Sequence, residues 1–386
     1  WVVGRERLAR LNSLAGAGPR YTSRAFHEGG YFVMRGGWDR DAPYLVFDCG
    51  PFGYPPFPVH GHADALSFEV YAYGQTLLTD SGVYSYHLGD DWRNYFRGTR
   101  AHNTVVVDGQ DQSVLVGRRD VGRVAQATLH EWCSNACFDV VDGAHDGYCR
   151  LPRPVTHGRK VLFVKPEYWV VVDLLEGEGE HCFELNFHLM PRTEFALDAE
   201  SKTLYTRNKE GANIVIAPLH PDELDVEVIT GATEPIQGWV SFYSGQKVSA
   251  PVLRYSKTDH VPTAFQTVLY PCPSGALSGL EVAPLEVTVS SRHRGIGSTT
   301  TGLRLETDEY VDYLVMAHDG GPCRKAFAGY ESDAEIVYIR QHKRGNVFSR
   351  IMLKQGQALS FHGRSLVRAK VPVEALMLVR QDSTLA

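Results

Sequence analysis

The chain has 386 residues, 43% of them hydrophobic and 22% charged, with a formal net charge of −6. This is globular composition, long enough for two or three structural units and a core that needs no disulfide staples. No basic run exceeds a few residues, which argues against a nucleic-acid surface, and no run of eighteen apolar residues is present that could cross a membrane as a helix. An acidic polymer would have to be held by local Arg, Lys and His, because the chain carries no overall positive field.

In chain order, Val3, Leu8, Leu11 and Leu14 have the spacing of a short amphipathic helix over residues 1–16, closed by Gly16 and Gly18. After Pro19 the texture changes to short Val-, Tyr-, Phe- and Thr-rich runs between Gly, Pro, Asp and Asn clusters, which predicts strands and turns. The expected strands are Tyr31–Arg35, Tyr44–Phe47, Ser67–Tyr73, Thr104–Val107, Lys160–Val164, Tyr168–Val172 and Cys182–Leu189. Further along come Ile214–Ala217, Thr267–Leu269, Leu285–Val289, Gly302–Leu305, Tyr310–Ala317 and Ile336–Ile339, with Glu374–Leu378 read as a short turn of helix. The fold class is therefore all-β: a large antiparallel β-sandwich, then a boundary at Leu269–Gly275 and a smaller β unit. Seven cysteines, of which only Cys133 and Cys137 are close, read mainly as buried or incidental thiols.

One stretch concentrates chemistry. Residues 60–64 read His-Gly-His-Ala-Asp; Asp80-Ser81-Gly82-Val83-Tyr84 follows an apolar run; Trp92 to Thr104 then carries Arg93, Tyr95, Arg97, Arg100, His102 and Asn103. Two His at i and i+2 can share one side of an extended segment, and Gly61 between them leaves the backbone open. His62, Asp80 and His102 are candidate ligands of a three-ligand zinc site, with hydrogen-bonded structural histidines as the alternative. A tight hairpin at Gly74-Gln75 would set Asp80 opposite Glu69, about seven residues or roughly 20 Å from His62 along an ideal strand. A bulge, a longer loop or pairing through another strand is then needed to close the cluster.

The segment His60–Tyr86 followed by Tyr95–Ser113 closely resembles the heparinase II/III-like lyases, and Gly29–Trp38 and Lys165–Asp173 resemble the same family. The resemblance is clearest over residues 25–190. It implies an N-terminal (α/α) toroid of which residues 1–24 would be the end, a β-sandwich over 25–272, and a smaller β domain over 273–386. It implies a bacterial enzyme, periplasmic or extracellular or else cytoplasmic, that cleaves a uronic-acid polysaccharide by β-elimination. By resemblance His62, Asp80 and His102 match structural zinc ligands, and His60 matches the catalytic histidine. The reaction removes the weakly acidic C5 proton and expels O4, so the uronate carboxylate must be neutralised while an imidazole-type base acts. In relatives the toroid carries the acid/base Tyr and the carboxylate-neutralising residue. A longer parent chain or a partner chain would have to supply them.

Tyr84, Tyr95, Arg97 and Arg100 are the candidate substrate-binding residues, the tyrosines as cleft walls and the arginines as bidentate holders of carboxylate or sulfate. Packing or salt bridging is the alternative for each. Asp64 reads as a turn or strand-end acceptor more than as a ligand, Asn103 and Asp108 as strand terminators, His188 as a core or hydrogen-bonded residue that could instead face the cleft, and His145, His157 and His181 as turn residues. Two other functions compete with the lyase: a non-catalytic carbohydrate-binding sandwich, and a zinc hydrolase using water on an open metal position. The particular polysaccharide and the oligomeric state are not legible.

Overall fold

The structure is a computed structural model that describes residues 4–13, 19, 21–54, 58–117, 120–273, 279–290, 300–318 and 323–379. Helix α1 spans Gly4–Ser13; Val3, Leu14, Gly16 and Gly18 lie outside the described residues, as do Ser274 and Gly275. The rest is dominated by antiparallel strands. Tyr31–Arg35 and Tyr310–Ala317 form with the bounds expected from their alternation, and most of the others extend by a few residues.

Three layers make the body. The first begins as a five-stranded meander, Arg24–Phe26, Tyr31–Arg35, Tyr44–Asp48, Phe68–Ala72 and Gln75–Leu78. A Leu78–Leu189 bridge carries it onto a four-stranded sheet ordered Asp225–Thr230, Pro251–His260, Glu180–His188 and Val105–Val107. The second layer is an eight-stranded sheet whose central strands are Thr263–Pro273, Tyr168–Gly177, Val155–Val164 and Phe138–His145. The third is the nine-stranded sheet of residues 281–379.

The middle sheet is apolar on both faces, which explains the unbroken apolar runs in its strands. Val161, Phe163, Trp169 and Val171 pack toward the first layer with Phe47, Phe68, Leu185 and Phe187. Their neighbours Leu162, Val164, Tyr168, Val170 and Val172 pack the opposite way against Leu305, Leu314, Ile336 and Tyr338 of the third layer. Polar groups fasten that second interface. Arg340 holds Asp312 through two 2.7 Å bonds and Glu167 at 2.6 Å, and Tyr168 Oη donates to Asp312 at 2.9 Å.

Three elements differ from expectation. Leu285–Val289 is not one strand: residues 285–287 lie between the strands Glu281–Pro284 and Thr288–Ser290, which pair with different partners. Glu374–Leu378 is not helical; it belongs to the strand Arg364–Val379, paired along Val347–Phe361, so tertiary pairing overrides the helix propensity of Glu-Ala-Leu-Met-Leu. A helix α2, Asp90–Arg97, stands where irregular chain was expected. Gly89 and Gly98 bracket it, and Asp90 and Asp91 occupy its first turn, where acidic side chains suit the helix dipole. All seven cysteines are free.

Trp169 is fully buried and stacked on Phe163 with ring centroids 4.5 Å apart. Trp169→Ala should lower unfolding free energy by about 3–5 kcal/mol in a denaturant titration, the usual cost of a large aromatic lost from a packed core.

Candidate active site

The HGHAD segment lies at one end of the first layer and is not a strand. Pro58–His60 makes a 3₁₀ turn, and the chain then folds back: Ser67 N donates to the Asp64 carbonyl and Leu66 adopts a left-handed φ of 63°. Gly61 is required by a close approach, since a Cβ there would stand 2.5 Å from the Phe52 ring. Arg97 is fully buried and its Nε donates to the Gly61 carbonyl, while Ala63 N donates to the Arg97 carbonyl. The hairpin turns at Tyr73-Gly74, both at positive φ, and a bulge shifts the register between Val70 and Tyr71. The folded-back loop and the bulge together remove the separation that an ideal hairpin would leave between His62 and Asp80.

The result is a compact His/Asp cluster. His62, Asp64 and His102 bring one ligand atom each within 4.8 Å of one another. Asp80 joins through His102: its Oδ2 lies 2.5 Å from Nδ1, and its Oδ1 accepts the Gly82 N–H at 2.8 Å. Asp64 thus stands inside the cluster, closer to a ligand's position than to the turn role its sequence context suggested. Burial and the neighbouring His102 charge push the His62 pKa down to about 3, leaving a neutral imidazole. Burial also works against a charged His102, but the Asp80 carboxylate outweighs it and raises the pKa to about 9. Asp80 is opposed by its own burial too, and is held well below the usual carboxylate range by the His102 charge and hydrogen bond. Burial raises Asp64, and Asp48 beside it reaches about 7 through burial and the Asp64 charge.

At the cluster, the buried Nε2 atoms of His102 and His188 have no hydrogen-bond partner among the described residues. His188 is held near 3 by burial and by His102, and its Nδ1 lies 3.1 Å from Asn103 Oδ1. Asn103 is a crosslink and not a strand terminator. Its Nδ2 donates to the carbonyls of Phe68 at 2.8 Å and Thr79 at 3.1 Å, and its Oδ1 accepts the His188 N–H at 2.6 Å. A neutral imidazole, a second imidazole with an orphaned nitrogen, and adjacent carboxylates are a donor set that fits a zinc-type ion.

His60 is exposed at the mouth. Its Nδ1 lies 3.0 Å from Tyr86 Oη, and the two rings meet edge to face at 5.3 Å. Arg93, buried on α2, supports both: Nη2 donates to the Val59 carbonyl at 3.2 Å and the guanidinium lies 4.6 Å from the Tyr86 ring centre.

The other expected contact residues are less open. Tyr84 is 9% exposed, sits at φ 59° and packs on Trp92 and Phe96. Tyr95 is 8% exposed, with its hydroxyl near the backbone of Trp239. Arg97 supports the backbone of the histidine loop and has no exposed surface. Arg100 is committed bidentately to Glu184 at 3.1 and 3.2 Å. His145, His157 and His181 are buried strand residues and not turn residues; His157 Nε2 lies 2.6 Å from Asp173, which also receives Arg159 at 2.6 Å. Arg93 was missed as a site member, and Asp64 and His188 were given site roles only as the lesser alternative. Only the HGHAD spacing hinted at Asp64, and buried charge on a short helix concealed Arg93.

Comparison with known proteins places this geometry. The family model described as "Heparinase II/III-like, C-terminal" matches residues 18–247, more than half of the chain and the whole cluster. A heparin-sulfate lyase of Pedobacter heparinus is 26% identical over 66% of this chain and 36% of its own length. One from Bacteroides stercoris is 31% identical over 58% of this chain and 30% of its own. The FtsZ-localized protein C of Caulobacter vibrioides is 28% identical over 60% and 41% respectively. A crystal structure of the heparan sulfate lyase from Pedobacter heparinus superposes with a TM-score of 0.62 at 21% identity, covering 84% of this chain and 45% of that one. The chain therefore spans about a third of the length of the lyases it matches in sequence. The fold is the β-sandwich found in that polysaccharide lyase. The chain belongs to the heparinase II/III-like family, in its C-terminal part.

Asn103→Ala would strip partners from three buried backbone groups and should cost about 3 kcal/mol or more in a denaturant titration. The His102 pair gives a pH signature. Its folded pKa stands above the ordinary 6.5, so its stabilisation is complete below pH 6.5, while Asp80 stays ionised, and is lost as pH rises through about 9. Chelator-treated protein should melt progressively lower over that window, and Asp80→Asn should flatten the slope.

Proposed function

We propose that this chain is the β-rich catalytic half of a lyase that cleaves a uronic-acid polysaccharide by β-elimination. The observation that carries the reading is the exposed His60, braced by Tyr86 and Arg93, at the mouth of the His62/Asp64/Asp80/His102 cluster. In the tautomer that donates Nδ1–H to Tyr86 Oη, the Nε2 lone pair of His60 is free to act as base. It takes the C5 proton, the electron pair forms the C4–C5 double bond, and the C4–O4 bond breaks. The leaving O4 takes a proton from an acid that the family resemblance puts on the toroid. Tyr86 and Arg93 fix the orientation of the imidazole, which shortens the search for a reactive geometry.

His62 and His102, with Asp64 or Asp80, would hold zinc. When bound, the ion supplies a fixed positive charge and a rigid node for the loop that carries His60. Because His102 is protonated against Asp80, metal binding must release that proton, so affinity rises with pH. An acidic polysaccharide of the heparan sulfate class is the favoured substrate, given the names of two relatives. The expected compartment is periplasmic or extracellular. One observation favours a second reading, a saccharide-binding sandwich without catalysis: a relative of comparable identity is named for its location and not for a reaction.

Full-length protein incubated with heparan sulfate, chondroitin sulfate, hyaluronan or alginate should generate the ultraviolet absorbance of an unsaturated uronate on at least one of them. His60→Ala should reduce that rate by about 10²–10⁴-fold, the usual weight of a positioned acid–base group. Binding without absorbance on any polymer would favour the second reading.

A further inference from the structure

Beside the cluster stands a second feature that the reaction does not use. The hairpin of Trp239–Tyr243 and Gln246–Ser249 is pinned to the loop that follows Asp80: Ser241 N donates to the Ser81 carbonyl at 2.8 Å, and Gly245 N to the Tyr84 carbonyl at 2.7 Å. Gly82 allows this contact, since a Cβ there would lie 2.2 Å from the Ser241 carbonyl oxygen. Between this hairpin and the turn at Met190–Arg192 lies a cavity of about 630 Å³, whose lining includes Trp239, Phe242, Lys247 and Arg192.

Its composition is specific. The Lys247 ammonium lies 4.0 Å from the centre of the Trp92 ring, 4.7 Å from Tyr84 and 5.5 Å from Trp239, and 3.5 Å from the Tyr84 hydroxyl. Among the described residues neither Lys247 nor the exposed Arg192 has a carboxylate within ion-pair distance, although the chain is net negative. Phe242, 50% exposed, stands open on the rim. An aromatic cage that holds an ammonium in place orders the cation without neutralising it. Two uncompensated cations beside exposed aromatic faces match a ligand with an anionic group on one side and an apolar C–H face on the other. A uronate or sulfated pyranose has that shape.

We propose that this cavity is a saccharide subsite, taking an anionic sugar residue of the polymer that flanks the one bound at His60. Tyr84 and Trp92 connect the two places. Tyr84 touches Lys247 two residues before Tyr86, and Trp92 touches it next to Arg93. The class of polymer rests on the lyase reading; the subsite itself is tested by binding alone.

The test is calorimetric titration of full-length protein carrying His60→Ala, so that nothing is cleaved, with heparan sulfate hexasaccharide and disaccharide. Arg192→Gln, Lys247→Gln and the double variant supply the charge series, and Phe242→Ala the stacking test; Arg192 and Phe242 are exposed, so their variants leave the core intact. Each charge variant should weaken hexasaccharide binding about fivefold, with a shallower salt dependence, and leave the disaccharide nearly unchanged. Unaltered hexasaccharide affinity in a folded double variant overturns the proposal. So does a lowered melting temperature with unaltered affinity, which would mean that another part of the protein covers the cavity. Failure to bind any acidic oligosaccharide overturns it as well. If the protein yields no unsaturated product yet loses binding in the series, the lyase reading fails and the subsite stands.

Discussion

Asn103 uses its side-chain amide on two strands and the exit of a third, and with the Leu78–Leu189 bridge it ties the two parts of the first layer together. Phe68 and Thr79 belong to the meander and its exit, His188 to the four-stranded sheet, and the carbonyl of Asn103 itself receives Arg159 from the middle layer at 2.6 Å. A buried amide with every group matched is a rigid joint, because any displacement breaks several bonds in a low-dielectric setting. His102, a member of the cluster, precedes this joint in sequence, and His188 touches it across the sheet, its N–H at 2.6 Å and its Nδ1 at 3.1 Å from Asn103 Oδ1. The cluster is held from below by the fold's own stitching and not by loop contacts alone.

The charged groups are arranged in tiers. Nearest the mouth, Arg93 and Arg97 on α2 support the backbone on either side of His60, at Val59 and Gly61. Deeper, Asp80 stabilises a charged His102, while His62 and His188 stay neutral beside it. Deeper still, Asp173 joins His157 to Arg159 in the core. Burying an ion pair without matching hydrogen bonds is costly, and the two deeper tiers offset that cost with several contacts to each carboxylate: Asp80 takes His102 and the Gly82 N–H, and Asp173 takes His157 and Arg159. The loop carrying His60 can therefore be irregular, left-handed at Leu66, and still be fixed.

The sequence made much of this visible and hid the rest for identifiable reasons. Alternation defined strands such as Tyr31–Arg35, and the β-branched runs of the middle sheet were read as strands but not as strands buried on both faces, which only the packing of the terminal sheet reveals. The composition of the cluster was legible in HGHAD, Asp80 and His102; its closure was not, because a bulge near Val70 and a left-handed Leu66 leave no clear mark in a residue pattern. Helix α2 escaped because its buried face includes Arg93 and Arg97, which read as solvent-facing. Arg97 and Tyr95 were taken for contact residues on residue type alone, and burial gives them supporting places instead. Arg192 and Lys247 belong to segments distant in sequence, and only the fold brings them together.

The inner strands of the middle sheet have no solvent face, and this bears on how the protein can be divided. The β segment after residue 273 looks like an accessory that could be cloned away, yet it forms one wall of a core whose other wall is Leu162, Val164, Tyr168 and Val170, on the same strands that carry Trp169 and Phe163. A truncation at that boundary would turn an interior surface into a broad adhesive one and strand Glu167 without Arg340.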